Sequence, residues 1–347
     1  METLFGEQFQ SDVDGRSTHR HLARRGSGPR FRPAGKGLHA LTGSAVGTRP
    51  WGVPPNLGGR ERRQVVTGTA VRAAVVVGVD ESEAAVDAVR WAAEEAERRG
   101  CVLWLFHAGL FDSDQATDVE RTRQASLLVE RAHRWVVRAA QVAQEAVPGI
   151  RTEYLVRLGL AADLLVELSA DVALVVVGSH GIGGLRGAVI GSVALRVAAS
   201  AHCPVVIARG PGKPGGPVVA GVAGADDDER VLEFAFDAAA RRHVPLIAVH
   251  AWQAGLLDDP EIVEMVAQSE ETALERRLDE LSGIHLGVTT HTCAVRGHSA
   301  ARALMSFDDA QLVVIGSRGR GPVVGGLFGS TGNRLLAQSA CPVAVVH

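Results

Sequence analysis

Short valine-rich runs alternate with longer amphipathic stretches from residue 73 to the end of the chain. The run Val75–Val79 (VVVGV) is apolar throughout, as in a strand that is buried on both faces of a sheet. The stretch Glu83–Arg99 repeats alanine and valine at helical spacing and stops before Gly100, a residue type that often follows a helix. This alternation predicts an α/β fold on a parallel sheet. In the first half we predict strands at 75–79, 102–107, 152–157, 173–177 and 204–208, and helices at 83–99, within 118–146, near 162–169 and from 192.

The predicted order of elements occurs twice. The segment VVVGVDES at Val75 returns as VVAGVAGA at Val218, and GSHG at Gly178 returns as GSRG at Gly316. Several matched landmarks in one order indicate an internal duplication. A segment rich in glycine and proline separates the two copies and is typical of a linker. We therefore predict an N-terminal extension at 1–72, a first domain at 73–209, a linker at 210–216 and a second domain at 217–347.

The N-terminal extension differs in composition from both copies. Residues 1–70 hold 11 basic and 5 acidic residues with 12 glycines, and they show no sustained apolar period. Such a segment buries too little surface to offset the entropy lost on ordering, so we predict a disordered basic tail. An inert extension is the favoured interpretation. An accessory nucleic-acid or membrane contact through the arginines at 24–32 stays open.

Composition limits the classes of function for the whole chain. Hydrophobic residues make up 46% of it and the formal net charge is −3, so we expect folded domains and no DNA or RNA partner. The four cysteines lie far apart without zinc-ligand spacing, which argues against a structural metal site and a disulfide framework. No apolar run approaches the length of a membrane span. We therefore expect a soluble, cytoplasmic protein that does not bind membranes.

A glycine-rich loop follows the fourth predicted strand of each copy. Both loops have the spacing G-x-x-G, nine further residues and then Gly-Ser, just before a predicted helix. Backbone N–H groups and the dipole at a helix N-terminus favour phosphate, and glycine lets the backbone approach it. The alternative is a tight connection that only caps the helix. The glycines and serines concerned are Gly178, Gly181, Gly191 and Ser192 in the first copy, and Gly316, Gly319, Gly329 and Ser330 in the second.

These loops differ from two common nucleotide-binding motifs. No Gly-Lys-Ser/Thr occurs, and neither loop follows a first strand as a dinucleotide fingerprint does. Together with V-G-V-D at the end of the first strand, His-Ala ending the second and the closing Cys-Pro-Val, the glycine spacing instead resembles the universal stress protein family in its tandem two-domain form. The resemblance covers both copies. It implies two open five-stranded parallel sheets of strand order 3-2-1-4-5, with helices on both faces.

The resemblance also implies a ligand, because this glycine pattern is typical of the ATP-binding members. ATP would bind where strands one and four diverge, with Mg²⁺ held mainly by phosphate and water rather than by protein ligands. Asp80 would face the ribose, with Val79 beside the adenosine and Ala108 beside the base. The expected cofactor-binding residues are completed by Gly178, His180, Gly181, Gly191, Ser192 and Val193 in the first copy and by Gly316, Arg318, Gly319, Gly329, Ser330 and Thr331 in the second.

The second copy departs from this pattern after its first strand. Ala223 stands where the first copy has Asp80, so a charge-assisted hydrogen bond to the ribose is lost and weaker binding is expected. The acids Asp226–Asp228 follow closely. We predict that they begin the next helix, where their charge suits its N-terminus, rather than replace Asp80.

Other residues recur at matched positions. His107 and His250 end the second strands, where they either line the crevice or make a structural hydrogen bond. Cys203 and Cys341 precede the last strands, and a structural role is favoured over a redox role. Two tryptophans are expected to pack in the interior, namely Trp91 and Trp252.

The favoured hypothesis is a nucleotide-binding stress or regulatory protein that holds ATP without efficient turnover. The crevice sequence offers no evident nucleophile beside a general base, which argues against a dedicated enzyme. A slow adenine-nucleotide hydrolase of the related superfamily is the first alternative, although Asp80-Glu81-Ser82 stands where those enzymes have Ser-Gly-Gly. An interaction scaffold with a vestigial site is the second. The resemblance further implies that the two domains pair through their last strands, and it leaves a homodimer open.

Overall fold

The fold is that of a computed structural model of the chain. The structure describes residues 74–109, 118–181, 190–210, 212–223, 228–252, 259–285, 287–297, 299–317 and 329–347, so the expected extension at 1–72 lies outside it. Each strand predicted for the first half is present, with its ends displaced by at most two residues. The elements are β1 (Val75–Gly78), α1 (Glu83–Arg98), β2 (Leu103–Gly109), α2 (Asp118–Ala146), β3 (Thr152–Leu158), α3 (Ala161–Leu168), β4 (Leu174–Gly178), α4 (Ser192–Ser200), β5 (Val205–Ala208), β6 (Val218–Val222), α5 (Asp228–Arg242), β7 (Leu246–Trp252), α6 (Pro260–Ser282), β8 (Thr290–Arg296), α7 (Ala300–Met305), β9 (Leu312–Gly316), α8 (Ser330–Gln338) and β10 (Val343–Val346).

The ten strands of the described residues form one sheet in the order β3-β2-β1-β4-β5-β10-β9-β6-β7-β8. Each half has the expected order 3-2-1-4-5, and its neighbouring strands are parallel. The halves join where β5 and β10 pair antiparallel, with Val206 opposite Ala344. The expected pairing of the two domains through their last strands is therefore present within the chain.

Helices cover both faces of the sheet, as expected. Successive valines of a strand point to opposite faces, so Val75 and Val77 contribute to one core and Val76 to the other. The first core packs beneath α1, α2, α5 and α6, and the second beneath α3, α4, α7 and α8. Burial on both faces explains why central strands such as β1 and β4 are apolar throughout, whereas the edge strands β3 and β8 carry polar residues.

A buried ion cluster connects α1 of the first domain with α5 of the second. Glu95 is 1% exposed, and its two carboxylate oxygens accept hydrogen bonds from Arg242 and Arg99, each at 2.6 Å. The Arg242 side chain is only 4% exposed, and its guanidinium carbon lies 5.6 Å from the centroid of the Trp91 ring. Asp237 of α5 lies 3.4 Å from Nη2 of Arg99. The cluster joins the domains on the same face as the first core.

The cysteines are expected to react slowly in the native protein. Burial raises the pKa of the Cys203 thiol to about 12 and that of Cys293 to about 11, and it also raises the pKa of Cys101 and Cys341. At pH 8, the thiolate fraction of Cys203 is roughly 10³-fold below that of an unfolded cysteine. Iodoacetamide labelling followed by peptide mass spectrometry should show this difference between native and urea-unfolded protein. Equal labelling rates would contradict it.

Candidate functional site

A cavity of about 430 Å³ opens at the carboxyl ends of β1, β2 and β4. The chain leaves β1 into α1 on one face of the sheet and leaves β4 towards α4 on the other face, so a crevice forms between these two strands. The volume lies within the range of ordinary small-molecule sites. The topology thus places a ligand-sized space beside the glycine loop of the first domain.

The structure brings together all nine site residues that the sequence predicts for the first domain. They come from four separate places in the chain but line this one cavity: Val79, Asp80, Ala108, Gly178, His180, Gly181, Gly191, Ser192 and Val193.

In the second domain, four of the six predicted residues are described. Gly316 ends β9, Gly329 is the N-cap of α8, and Ser330 and Thr331 begin that helix. The remaining two, Arg318 and Gly319, lie outside the described residues.

Asp80 is fixed by its own turn at the mouth of the cavity. Its Oδ1 accepts hydrogen bonds from the backbone N–H of Ser82 at 2.9 Å and from the Ser82 hydroxyl at 2.5 Å. Its Oδ2 lies so close to Gly181 that a Cβ there would be 2.8 Å from it. The glycine therefore leaves room for the carboxylate at the cavity wall.

The glycines of the loop are required for different reasons. The sequence suggests that each lets the backbone approach phosphate, but Gly178 packs against α1, where a Cβ would lie 2.8 Å from the backbone of Ala84. A Cβ on Gly191 would lie 3.3 Å from the Cα of His180. Glycine at this position therefore lets the two ends of the loop lie close together. Gly178 is thus explained by packing, and Gly181 and Gly191 by the shape of the site.

The N-terminus of α4 carries no side-chain cap among the residues described around it. Its N-cap is Gly191, and Ser192 is the first helical residue rather than the cap. At the start of α1, in contrast, the Ser82 hydroxyl accepts a hydrogen bond from the amide of Ala85 at 3.1 Å. First-turn amides without a cap form a site for an anion, which argues against the interpretation of the loop as a simple helix cap.

The cavity is also lined by residues outside the predicted set. His107 lines the cavity, and its Nδ1 lies 2.8 Å from the carbonyl oxygen of Val79, so both interpretations of this histidine hold. The matched His250 has the same contact with Val222 at 3.0 Å, and this recurrence was the sequence signal. Apolar residues such as Phe106, Leu165 and Ala161 also line the cavity, but nothing in the sequence separates them from ordinary core residues.

Two hydroxyls near the cavity lie beside basic groups. Ser82 donates to Asp80, but the same oxygen caps α1. The Ser179 hydroxyl lies 3.0 Å from Nδ1 of His180, while its residue is buried. These pairs were not evident from the sequence. Ser179 is buried, whereas Ser82 lines the cavity and uses its hydroxyl both to donate to Asp80 and to cap α1.

The corresponding place in the second domain is arranged differently. Asp228 is buried in the first turn of α5, and its Oδ1 accepts a hydrogen bond from the amide of Ala223 at 3.0 Å. Its Oδ2 lies 3.5 Å from Nη1 of Arg277 on α6. The prediction that the acids begin a helix is confirmed for Asp228, whereas Asp226 and Asp227 lie outside the described residues. The carboxylate is engaged with protein groups rather than placed like Asp80.

Within the described ranges, no group of three or more His, Cys, Asp or Glu side chains converges as metal ligands. None of the described helices is both long and apolar enough to cross a membrane.

Comparison with known proteins gives one consistent family. The model of the universal stress protein family matches residues 73–209 and 216–347. Universal stress protein Mb2019 of Mycobacterium bovis is 34% identical over 302 residues, which cover 79% of this chain and 94% of that protein. The crystal structure of a universal stress protein from Archaeoglobus fulgidus superposes with a TM-score of 0.60 at 18% identity, covering 80% of this chain and 97% of that one. A universal stress protein solved in complex with cAMP covers 40% of this chain and 97% of its own, at 25% identity and a TM-score of 0.32.

Proposed function

The chain belongs to the universal stress protein family. From this membership and from the cavity in its first domain, we propose that the protein binds an adenine nucleotide, ATP with Mg²⁺, without efficient turnover. One observation carries the proposal. Nine residues that the sequence marks for nucleotide binding, from Val79 to Val193, line a single cavity of about 430 Å³.

The chemistry of the cavity suits the parts of a nucleotide. The uncapped amides of α4 favour phosphate, and the carboxylate of Asp80 accepts hydrogen bonds from ribose hydroxyls. Apolar side chains such as Phe106 and Leu165 offer contact to the base. Bound Mg²⁺ would neutralise phosphate charge, with phosphate and water as its main ligands. The residues present therefore fit the proposed ligand.

We further propose that the first domain provides the main site. In the second domain Ala223 replaces Asp80, and its amide is taken by the buried carboxylate of Asp228. A ribose would find no carboxylate from this position. One tightly bound nucleotide per chain is therefore the expected stoichiometry.

Isothermal titration with ATP and MgCl₂ tests the proposal. Asp80→Ala removes a charge-assisted hydrogen bond and is expected to weaken ATP binding roughly 10- to 150-fold. The matched control is Asp87→Ala, since Asp87 is exposed on α1 and pairs only with Arg90 in the contacts seen. Heat from the wild type that Asp80→Ala leaves unchanged would refute the role of Asp80, and no heat from the wild type would refute nucleotide binding.

Turnover separates the proposal from its alternatives. A phosphate-release assay with product identification should detect less than roughly one turnover per second, the low end for ordinary enzymes. Faster cleavage between the α and β phosphates would support the hydrolase. A scaffold with a vestigial site would instead show the same thermal stability with and without nucleotide, because only a ligand that binds the folded state stabilises it.

A further inference from the structure

The loop after β1 carries two adjacent carboxylates that face different partners. Asp80 lines the cavity, whereas Glu81 reaches α2. Oε1 of Glu81 accepts hydrogen bonds from Nε of Arg131 at 2.5 Å and from the indole Nε1 of Trp135 at 2.8 Å. The bond from Arg131 lowers the pKa of Glu81, against the effect of burial, so the carboxylate is ionised at neutral pH.

The two donors are spaced to hold one acceptor. Arg131 and Trp135 are four residues apart on α2, so they lie on one face of the helix, one turn from each other. The indole has a single N–H to donate, and here it goes to Glu81. This cluster of Glu81, Arg131 and Trp135 is called the α2 latch below.

The α2 latch lies on one side of Asp80, and a second anchor lies on the other. The amide of Val79 donates to the carbonyl of Phe106 at 2.8 Å, and its carbonyl oxygen lies 2.8 Å from Nδ1 of His107. Asp80 itself is bonded only to Ser82 in the contacts seen. Beyond this turn, the direction of Asp80 depends on how firmly its neighbours Val79 and Glu81 are held.

We propose that Glu81, Arg131 and Trp135 are positioning residues that hold the Asp80 carboxylate towards the cavity before nucleotide binds. This inference rests on the proposed function for its consequence in binding, but the contacts of the latch lie within the protein itself. Fixing the loop in advance removes an entropy cost that binding would otherwise carry.

The second domain builds a comparable tie from other residues. There the carboxylate comes from the helix, since Asp228 accepts from the amide of Ala223 and pairs with Arg277 of α6. Both domains thus connect the loop after their first strand to an arginine of the second helix through one carboxylate. The arrangement in the first domain leaves an additional carboxylate, Asp80, at its cavity.

Hydrogen exchange in the nucleotide-free protein tests the latch directly. Arg131→Met and Trp135→Phe are each expected to speed exchange in the peptide 79–86, which includes the Ser82 amide bonded to Asp80. Arg134→Met is the matched control, because Arg134 is an exposed arginine of the same helix. Unchanged exchange in both latch variants overturns the proposal, whether or not the protein binds nucleotide.

A double-mutant cycle then tests whether the latch acts through Asp80. The combined variant Arg131→Met/Trp135→Phe should weaken ATP binding roughly 5- to 30-fold, the cost of ordering about one residue. In an Asp80→Ala background the same changes should have no further effect, whereas a merely structural role would give an additive loss. An additive loss, or full affinity in the combined variant, overturns the proposal. Absence of ATP binding by the wild type together with faster exchange in the variants refutes the proposed function and supports the latch.

Discussion

Replacing Glu95 with alanine is expected to lower the free energy of unfolding by about 3–5 kcal/mol, because it leaves the buried Arg242 guanidinium without its carboxylate. Glu95 also accepts from Arg99, so one substitution affects cations from both domains. Urea denaturation followed by far-UV circular dichroism measures the loss. Glu94→Ala is the matched control, since Glu94 is half-exposed on the same helix and pairs only with Arg98 in the contacts seen. Its expected effect is within about 1 kcal/mol.

The double variant Glu95→Leu/Arg242→Met distinguishes a lost partner from lost packing. Replacing both charges by apolar side chains removes the cost of a buried unpaired ion, so the loss should be smaller than for Glu95→Ala alone. If the double variant loses more free energy of unfolding than the two single variants lose together, the explanation is wrong.

Acid should weaken the same cluster. Burial raises the pKa of Glu95, but Arg242, Arg99 and Arg98 together outweigh burial and lower it below the ordinary value. The contribution of Glu95 is therefore complete above the unfolded-state pKa of about 4.3 and is lost as the pH falls through the folded-state pKa. The stability difference between wild type and Glu95→Ala should accordingly shrink on acidification, and a difference that grows would contradict this assignment.

Gly181→Val is expected to weaken ATP binding by at least about 100-fold. A Cβ at this position would lie 2.8 Å from Oδ2 of Asp80. The Asp80 side chain is short and its carboxylate is held by Ser82, so either the loop or the carboxylate must shift. Both shifts separate the groups assigned to ribose and phosphate. Titration calorimetry with ATP and MgCl₂ measures the loss, and urea denaturation shows whether the fold is retained.

Gly283→Val is the control for this substitution. Gly283 follows α6 at an exposed position, and its Cβ would meet only the carbonyl oxygen of Glu280, at an ordinary 3.7 Å. The control should bind ATP as the wild type does. Wild-type affinity in Gly181→Val would remove Gly181 from the site.

Much of the fold could be predicted because its determinants are local or repeated. Val75–Val79 is apolar at each position that the sheet buries, and Gly100, with φ of +62°, ends the helix begun at Glu83. The matching segment at Val218 then indicates that the domain is duplicated. Strand order followed from the family resemblance rather than from the valines, since the central strands β1, β4 and β5 look alike in sequence.

Contacts between distant residues could not be predicted in the same way. Nothing local distinguishes Glu95 from the other acids of its helix, although it alone among them is buried against Arg242 of the other domain. Glu81 likewise finds Arg131 across 50 residues of chain. Gly178 lines the cavity, but its need for glycine comes from Ala84, which only the packed structure reveals.

The antiparallel junction of β5 and β10 also affects how the two halves behave on dilution. Each half taken alone would expose a short valine-rich edge strand, VVIA or VAVV, and such an edge promotes aggregation by pairing with other chains. Because one polypeptide carries both edge strands, each pairs with the other at a high effective concentration. That concentration is set by the length of the linker rather than by the protein concentration in solution. The covalent connection thus makes the pairing of the two halves insensitive to expression level.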